Sequence, residues 1–341
     1  MGSMVGHRSL DPVKIARVCA RRLASALFAL LAIGVGVLVL ADLSPRDPLA
    51  SYLGSSYLNA SHQARAQAAR ALGLDVGWWQ AGLVWLQGLA EGDLGTSRVM
   101  ARPVATVVAD QLPWTLGLAL PAFALALALA LCLVVQAYLR PGGVFDRCVQ
   151  VVTGVLAGLP AFLLALGVIG GFAAAARLLG VTPLPASGAY SPGARALGLD
   201  AGDVARHAIM PVAAFALSLL PTLVAHLHRA MGPAMISDSA QAARGLGTAE
   251  RAIITRIVVP QAALPLVGAA TSTVAALIAT SAIVEQMFGW PGIGAATIAA
   301  ALESDLALLL ATSLGTALVV IAAGWLGDGL AWLIDPRIRH A

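Results

Sequence analysis

The chain has 341 residues, of which 59% are hydrophobic and only 11% are charged, and its formal net charge is +4. Soluble domains carry about 25% charged residues, so this composition excludes an ordinary soluble protein. The three cysteines show neither paired nor metal-type spacing, which gives no basis for a disulfide framework or a metal site. No basic patch interleaved with aromatic residues indicates a nucleic-acid partner.

Uncharged runs along the chain predict an all-α integral membrane protein with six spanning helices. A helix needs about 20 mainly apolar residues to cross the hydrocarbon core. Residues 1–22 form a basic leader, and residues 23–42 form the first span, which is too long for the apolar core of a cleavable signal. Residues 43–110 then form the longest segment between spans.

Tryptophans in the segment 43–110 predict a helix that lies on the membrane surface. Trp78, Trp79 and Trp85 stand among leucines, and indole rings prefer the membrane–water interface. Packing against a partner protein explains the same pattern equally well.

Residues 111–334 hold the other five spans and one large loop. The spans are about 112–138, 149–176, 207–228, 261–284 and 306–327, the loop is 229–260, and residues 335–341 form a tail. Arg and Lys favour the cytoplasmic side of a membrane. Of the 21 Arg and Lys residues, 13 fall in the leader, the tail and the loops that a six-span topology places on the same side of the membrane. The sequence therefore predicts that both termini are cytoplasmic.

The loop ends in the sequence QAARGLGTAERAIITRIVVP, residues 241–260. Ser237 or Asp238 suits a helix N-cap, and Gly245 and Gly247 suit a helix end. A second helix is predicted from Thr248 into the next span. A short helix that carries small residues can lie close against another protein, although a solvated loop fits the same composition.

The spacing of this segment resembles the signature loop of ABC importer permeases. That family has Glu-Ala-Ala, three residues, Gly, nine residues and Ile-x-Leu-Pro, whereas this chain has Gln241 for the glutamate and Val259 for the leucine. The resemblance implies a helix that couples the permease to a cytoplasmic ATPase. The residues assigned to this coupling loop are Gln241, Ala242, Ala243, Arg244, Gly247, Glu250, Arg251, Ile257 and Pro260.

Further motifs resemble the B-type permease of the dipeptide, oligopeptide and nickel importers. In order they are GDLGTS (92–97), LPWTLGLAL (112–120), LLGVTPLPASGAY (178–190), VEQMFGWPGIG (284–294) and LIDPRIR (333–339). The resemblance implies the type I importer permease fold in a bacterial inner membrane. It also implies a second homologous permease, two ATPase subunits that bind ATP and Mg²⁺, and an extracytoplasmic substrate-binding protein. This chain itself is expected to bind no cofactor.

A Pro- and Gly-rich turn near the outer end of the fifth span is a candidate external gate. A tight structural loop explains it equally well. Glu285 could face the transport path, but a solvated helix end is the favoured interpretation. The residues of this candidate gate are Glu285, Phe288, Trp290, Pro291, Gly292 and Gly294. Near the other membrane face, Asp328 is interpreted as part of a structural ion pair with Arg337 or Arg339, or as a group at interface depth, rather than as a proton relay.

The expected function is that of a non-catalytic permease subunit of an ATP-driven importer for peptides or similar small solutes. The alternative is a secondary transporter or channel, but such proteins often carry charge clusters inside their spans, and here only Asp328 intrudes. A membrane enzyme is less well supported because the chain has neither HExxH nor GxSxG, and no GxxxxGK[ST] loop indicates an ATPase within it.

Overall fold

The computed structural model describes residues 12–44, 49, 53, 56–71, 77–181, 184–194, 198 and 200–334. These residues form helices and one small antiparallel ribbon, β1 (Thr96–Ser97) with β2 (Arg102–Pro103), in which Thr96 lies opposite Pro103. The helices are α1 (Pro12–Asp42), α2 (Ser56–Asn59), α3 (His62–Ala71), α4 (Trp78–Ala90), α5 (Val104–Leu139), α6 (Val144–Gly158), α7 (Ala161–Leu179), α8 (Ala201–Met235), α9 (Asp238–Gly245), α10 (Glu250–Ile253), α11 (Val259–Phe288), α12 (Ile293–Leu302) and α13 (Leu306–Ile334). A π-helical turn (Ile254–Val258) joins α10 to α11.

Six helical stretches among the described residues are long and apolar enough to cross a membrane, which confirms the predicted all-α fold with six spans. They are Cys19–Asp42, Val104–Leu139, Ala161–Leu179, Ala201–Met235, Glu250–Thr271 and Leu306–Leu333. In addition, α11 continues to Phe288, and α12 folds back from it at 80°. We call the end of the bundle that carries α9 the lower end and the end that carries the α11–α12 turn the upper end.

The third span differs from the single helix expected over 149–176. The structure breaks it into α6 and α7 at Leu159 and Pro160, where Leu159 is extended with φ −92° and ψ 127°. Proline has no N–H to donate and disfavours a helical conformation of the residue before it. By contrast, Pro211 and Pro221 lie within the continuous α8.

A stripe of small residues on α5 brings the central helices close together. Ala122, Ala126, Ala130 and Val134 recur every fourth residue, and all are fully buried. The intervening Leu125 and Leu129 are exposed on the outside of the bundle. Small side chains allow membrane helices to approach each other. The Leu-Ala sequence therefore places every second alanine in the core beside α8, whereas Leu125 and Leu129 lie on the outside.

Helix α1 lies at the periphery and packs against α13 and α4. Near the lower end, Nη1 of Arg22 lies 2.6 Å from Oδ2 of Asp328. An ion pair for Asp328 was expected, but with Arg337 or Arg339, which lie outside the described residues. Because both partners are partly exposed, the pair contributes at most about 1 kcal/mol to stability.

The buried carboxylate of Asp305 organises the upper end of α13. Its Oδ2 accepts from the hydroxyl of Ser97 at 2.7 Å and from the amides of Arg98 and Val99 at 2.7 and 3.1 Å. Its Oδ1 accepts from the amide of Leu308 at 3.3 Å, which caps the helix. A single side chain thus attaches the ribbon between α4 and α5 to the last span.

We predict that Asp305→Ala destabilises the fold by about 3 kcal/mol, because the substitution removes a helix cap and leaves buried donors without an acceptor. Thermal unfolding of the purified chain in detergent measures the change. The matched control is Glu303→Ala, at an exposed carboxylate of the same turn, which should leave the midpoint almost unchanged. Equal midpoints for the two variants would contradict the role of Asp305.

Candidate functional site

The coupling segment begins with a short helix, α9, whose two ends are defined by identifiable bonds. The hydroxyl of Ser237 accepts from the amide of Ala240, so Ser237 is the N-cap rather than Asp238. Gly247 has φ +75°, and the amide of Thr248 donates to the carbonyl of Ala243 at 3.0 Å. This bond and the left-handed glycine form a Schellman motif, which reverses the chain after α9.

Arg244 ties α9 to both neighbouring helices. Its Nε and Nη2 lie 3.0 and 2.6 Å from the two carboxylate oxygens of Glu250, and its Nη1 donates to the carbonyl of Met235 at 2.9 Å. The hydrogen bond with Glu250 raises the pKa of the Arg244 guanidinium. The fork geometry of arginine suits such paired contacts. We call Arg244, Glu250 and Met235 the brace.

Arg244 and Glu250 are both among the residues assigned to the coupling loop, but the sequence alone does not predict that they pair. Residues six apart do not face each other on one helix. They meet here because Gly247 turns the chain between them. Gln241, which replaces the family's glutamate, instead donates to the carbonyl of Ile236 at 2.8 Å.

Helix α9 has an inner and an outer face. Ala240 is fully buried and Ala243 packs against the core, whereas Ala242 and Gly247 are exposed. Leu246, at the end of the helix, has 87% of its surface exposed. The outer face is therefore small and partly apolar, and it lies at the lower end beyond the membrane spans.

The chain after the turn is one continuous helical segment that reaches the upper end, and we call it the rod. The helix predicted from Thr248 starts at Glu250 and continues through the π-helical turn into α11. From Glu250 to Phe288 it is about 58 Å long, almost twice the hydrocarbon thickness of about 30 Å. Pro260 lies just after the π-helical turn, which loosens the helix where proline removes a hydrogen bond.

Buried side chains hold this rod to the lower part of the core. Ile253, Ile254 and Val258 are fully buried and belong to the main hydrophobic cluster, and Ile257 packs against that cluster. Arg251 and Pro260 are exposed. The assigned coupling residues thus divide into a buried set that fixes the rod and an exposed set on and beside α9.

At the upper end, Glu285 is fully buried, so its interpretation as a solvated helix end is wrong. Its Oε1 accepts from the hydroxyl of Thr115 at 2.7 Å, and its Oε2 accepts from the amide of Ala295 at 2.9 Å. The Thr115 hydroxyl in turn accepts from the amide of Ile293 at 2.8 Å. We call this set the latch, because it joins α11, α5 and the start of α12.

Glu285 supplies the helix cap that the local sequence lacks. The N-cap of α12 is Gly292, which has no side chain to accept a bond. A Cβ at Gly292 would collide with the Glu285 carboxyl group, and a Cβ at Gly294 would collide with the backbone of Ala282. Gly292 is therefore required by the close approach of the carboxylate, and Gly294 by the close approach of α12 to α11. Thr115 gave no separate signal in the sequence, because it lies 170 residues from Glu285.

The remaining residues of the candidate gate are packed rather than exposed. Phe288 and Trp290 are almost fully buried. The indole N–H of Trp290 donates to the carbonyl of Trp114 at 3.0 Å, and the two rings meet edge to face. Pro291, which follows Trp290 in the sequence, is half-buried. The role of these residues as a gate stays a prediction.

Beside the latch, a cleft of about 750 Å³ opens between the upper halves of α5 and α8. Pro113, Trp114 and Trp290 line one side, and Val204, Ala208 and Val212 line the other. No charged side chain lines this cleft among the described residues. The lining therefore suits uncharged groups of varied shape, and it offers no charge that would select a ligand of opposite charge.

The tryptophan-bearing helix α4 packs against the bundle through one of its indoles. Trp85 donates its indole N–H to the carbonyl of Leu94 at 3.2 Å and contacts the cluster of Val104, Val107 and Leu308. Trp79 remains 54% exposed. One face of the helix is thus internal, and its outer face remains available for membrane or partner.

Comparison with known proteins gives a consistent result. A model of the family described as binding-protein-dependent transport system inner membrane component matches residues 122–340. A Brucella suis biovar 1 chain named as a peptide permease protein is 28% identical over 325 residues, covering 95% of this chain and 99% of that one. The di/tripeptide transport system permease protein DppB of Pseudomonas aeruginosa is 29% identical, covering 87% and 91%. The oligopeptide transport system permease protein AppB of Bacillus subtilis is 26% identical, covering 91% and 95%.

We predict that Glu285→Gln loosens α12, because the amide offers one acceptor oxygen where the carboxylate offers two. Amide hydrogen exchange of residues 293–300 should speed up by about tenfold or more, since a lost buried bond costs about 1–3 kcal/mol. The exposed neighbour Gln286 supplies the control Gln286→Ala, for which exchange should stay as in the wild type. Unchanged exchange in Glu285→Gln would show that the latch does not hold α12.

Proposed function

The chain belongs to the family of binding-protein-dependent transport system inner membrane components, and from this premise we propose its place in the transporter. It is a multi-pass membrane permease of an ABC importer, a system with further subunits. In the proposal it forms half of the translocation pathway and pairs with a homologous second permease. Two ATPase subunits, which bind ATP and Mg²⁺, and an extracytoplasmic binding protein complete the system.

The proposed substrates are peptides or similar small solutes. The relatives from Pseudomonas aeruginosa and Bacillus subtilis are named as permease proteins of a di/tripeptide and an oligopeptide transport system. The uncharged cleft between α5 and α8 supports the proposal, because its apolar and aromatic lining would accept side chains of many kinds. The excess of Arg and Lys in the leader, loop 229–260 and tail supports an orientation with the lower end in the cytoplasm.

The proposed coupling element is α9, which enters a cleft of the ATPase. One observation carries this proposal. The exposed short helix α9 is connected, through the Arg244–Glu250 ion pair, to a helical segment that continues through the membrane. A displacement of α9 by the ATPase would therefore move α11 and, through the latch, the upper end.

Transport then follows from two packings of the spans that ATP and substrate favour differently. Closure of the ATPase dimer on ATP shifts α9 and opens the upper end to the binding protein. Hydrolysis returns the spans to the state that opens toward the cytoplasm. The chain itself carries out no chemical step in this proposal, and the residues 285–294 act as the external gate.

We predict that Gly247→Arg abolishes ATPase binding without unfolding the chain. Gly247 is exposed and a Cβ there meets nothing within 4 Å, so the new side chain would block a docking surface rather than the core. Pull-down of the ATPase subunits from membranes, with ATP-dependent uptake into vesicles, measures the effect. Gly142→Arg is the matched control, because Gly142 has φ +70°, has equally open surroundings and lies at the same end.

Gly142→Arg should keep both ATPase binding and ATP-dependent uptake. The backbone strain at Gly142 is the same as at Gly247, but Gly142 lies away from α9. Loss of ATPase binding in both variants would point to general damage, and retention in Gly247→Arg would contradict the coupling role of α9.

We also predict that the brace transmits force. Arg244→Glu should lower ATP-dependent uptake about fivefold or more, a coupling change of about 1 kcal/mol, because it sets two carboxylates against each other. The double variant Arg244→Glu with Glu250→Arg should recover much of the loss. Arg256→Ala, at an exposed arginine of the same rod, is the control. Failure of the charge exchange to restore any uptake would exclude the ion pair as the connection.

A further inference from the structure

An apolar groove runs along the upper half of α1, away from the brace, the latch and the cleft. Helices α1, α4 and α13 form its walls, and its volume is about 420 Å³. Among its described lining residues no side chain is charged, and the one polar group, the indole N–H of Trp85, already donates to the carbonyl of Leu94. The groove therefore offers only carbon to an occupant.

The groove is about as long as one leaflet of the membrane is deep, and most of its lining belongs to the upper halves of the spans. Its lining on α1 runs from Leu27 to Leu38, which is about 16 Å along a helix, and one leaflet is about half of the ~30 Å hydrocarbon core. Of these, Leu31 to Leu38 fall in the upper half of the span Cys19–Asp42, and Leu27 and Leu30 lie at or just below its middle. The lining on α13, from Leu310 to Leu318, falls in the upper part of its own span.

The width of the groove distinguishes between possible occupants. Spread over that length, its volume gives a width of about 5–6 Å for the centre of a water molecule, whose radius is about 1.4 Å, so the walls stand about 8–9 Å apart. A helix with its side chains measures about 10–12 Å across. Non-bonded carbon atoms approach to about 3.5–4.0 Å. A single chain of methylene groups fits this groove, and a helix of another subunit does not.

We propose that the groove binds one acyl chain of a membrane phospholipid from the upper leaflet. Lipid tails and leucines are equally apolar, so packing rather than hydrophobicity decides the binding. An empty groove would forfeit dispersion contacts along α1, α4 and α13. The acyl chain replaces those contacts and thereby joins the peripheral α1 to the core.

Two glycines make the proposal testable by filling the groove. Gly34 and Gly315 both line it, and a Cβ at Gly34 meets nothing within 4 Å, while one at Gly315 meets only Ile293 at 3.9 Å. Leucine at either position would occupy the space of the acyl chain. Gly36 has equally open surroundings on the same helix but does not line the groove. Gly36→Leu is therefore the matched control.

The experiment uses the full chain in vesicles of phosphatidylethanolamine and phosphatidylglycerol doped with a phospholipid that carries a diazirine in one acyl chain. After irradiation, mass spectrometry maps the label. We expect labelling concentrated on residues 27–38 and 310–318, reduced about tenfold by Gly34→Leu or Gly315→Leu and unchanged by Gly36→Leu. Using two filling variants keeps the test decisive if one of them fails to fold.

Equal labelling in the filling variants and the control would overturn the proposal, as would label spread evenly over exposed positions such as Leu120 and Leu326. The same measurement on the assembled transporter tests the alternative that a partner subunit, rather than a lipid, fills the groove. If labelling of the groove disappears on assembly, a partner subunit occupies it and the lipid site is excluded. Persistence of the label in the complex supports the lipid.

Discussion

The hydrocarbon core of a membrane offers no water to backbone N–H and C=O groups, and the arrangement of this chain follows from that constraint. Helices satisfy their own interior groups, so the difficulty falls on helix ends and breaks. The chain meets it at the upper end with two buried carboxylates. Asp305 caps α13 and holds the adjacent ribbon, and Glu285 caps α12 from another helix.

The same constraint gives the two ends of the bundle different properties. The upper end is held by buried hydrogen bonds around Glu285 and Thr115 and by the edge-to-face pair of Trp114 and Trp290. The lower end is held by an exposed ion pair and a left-handed glycine. Because the outer face of α9 is exposed while Arg244 holds the helix to its neighbours, α9 can bind a partner protein without detaching from the bundle. The single rod from Glu250 to Phe288 connects these two ends.

Local patterns in the sequence were sufficient to predict the spans and the helix–turn–helix of residues 237–260. Apolar runs predict spans directly, and Ser237 and Gly247 have roles set by their own backbone. Contacts between residues that are far apart in the sequence cannot be predicted from such local patterns. The burial of Glu285 depends on Thr115 and on the return of α12, and the burial of Asp305 depends on Ser97. The break at Pro160 was missed because proline is tolerated inside other spans of this chain.

The central claim is that α9 lies in a cleft of an ATPase subunit, and crosslinking from its outer face tests this most directly. Leu246 is 87% exposed, so Leu246→Cys can be made in a background where the exposed Cys19, Cys132 and Cys148 are replaced by serine. The account predicts that a short bifunctional thiol reagent joins this cysteine to a co-expressed ATPase subunit. It also predicts that the yield changes when ATP binds. Absence of the crosslink in vesicles that still take up substrate with ATP would contradict it.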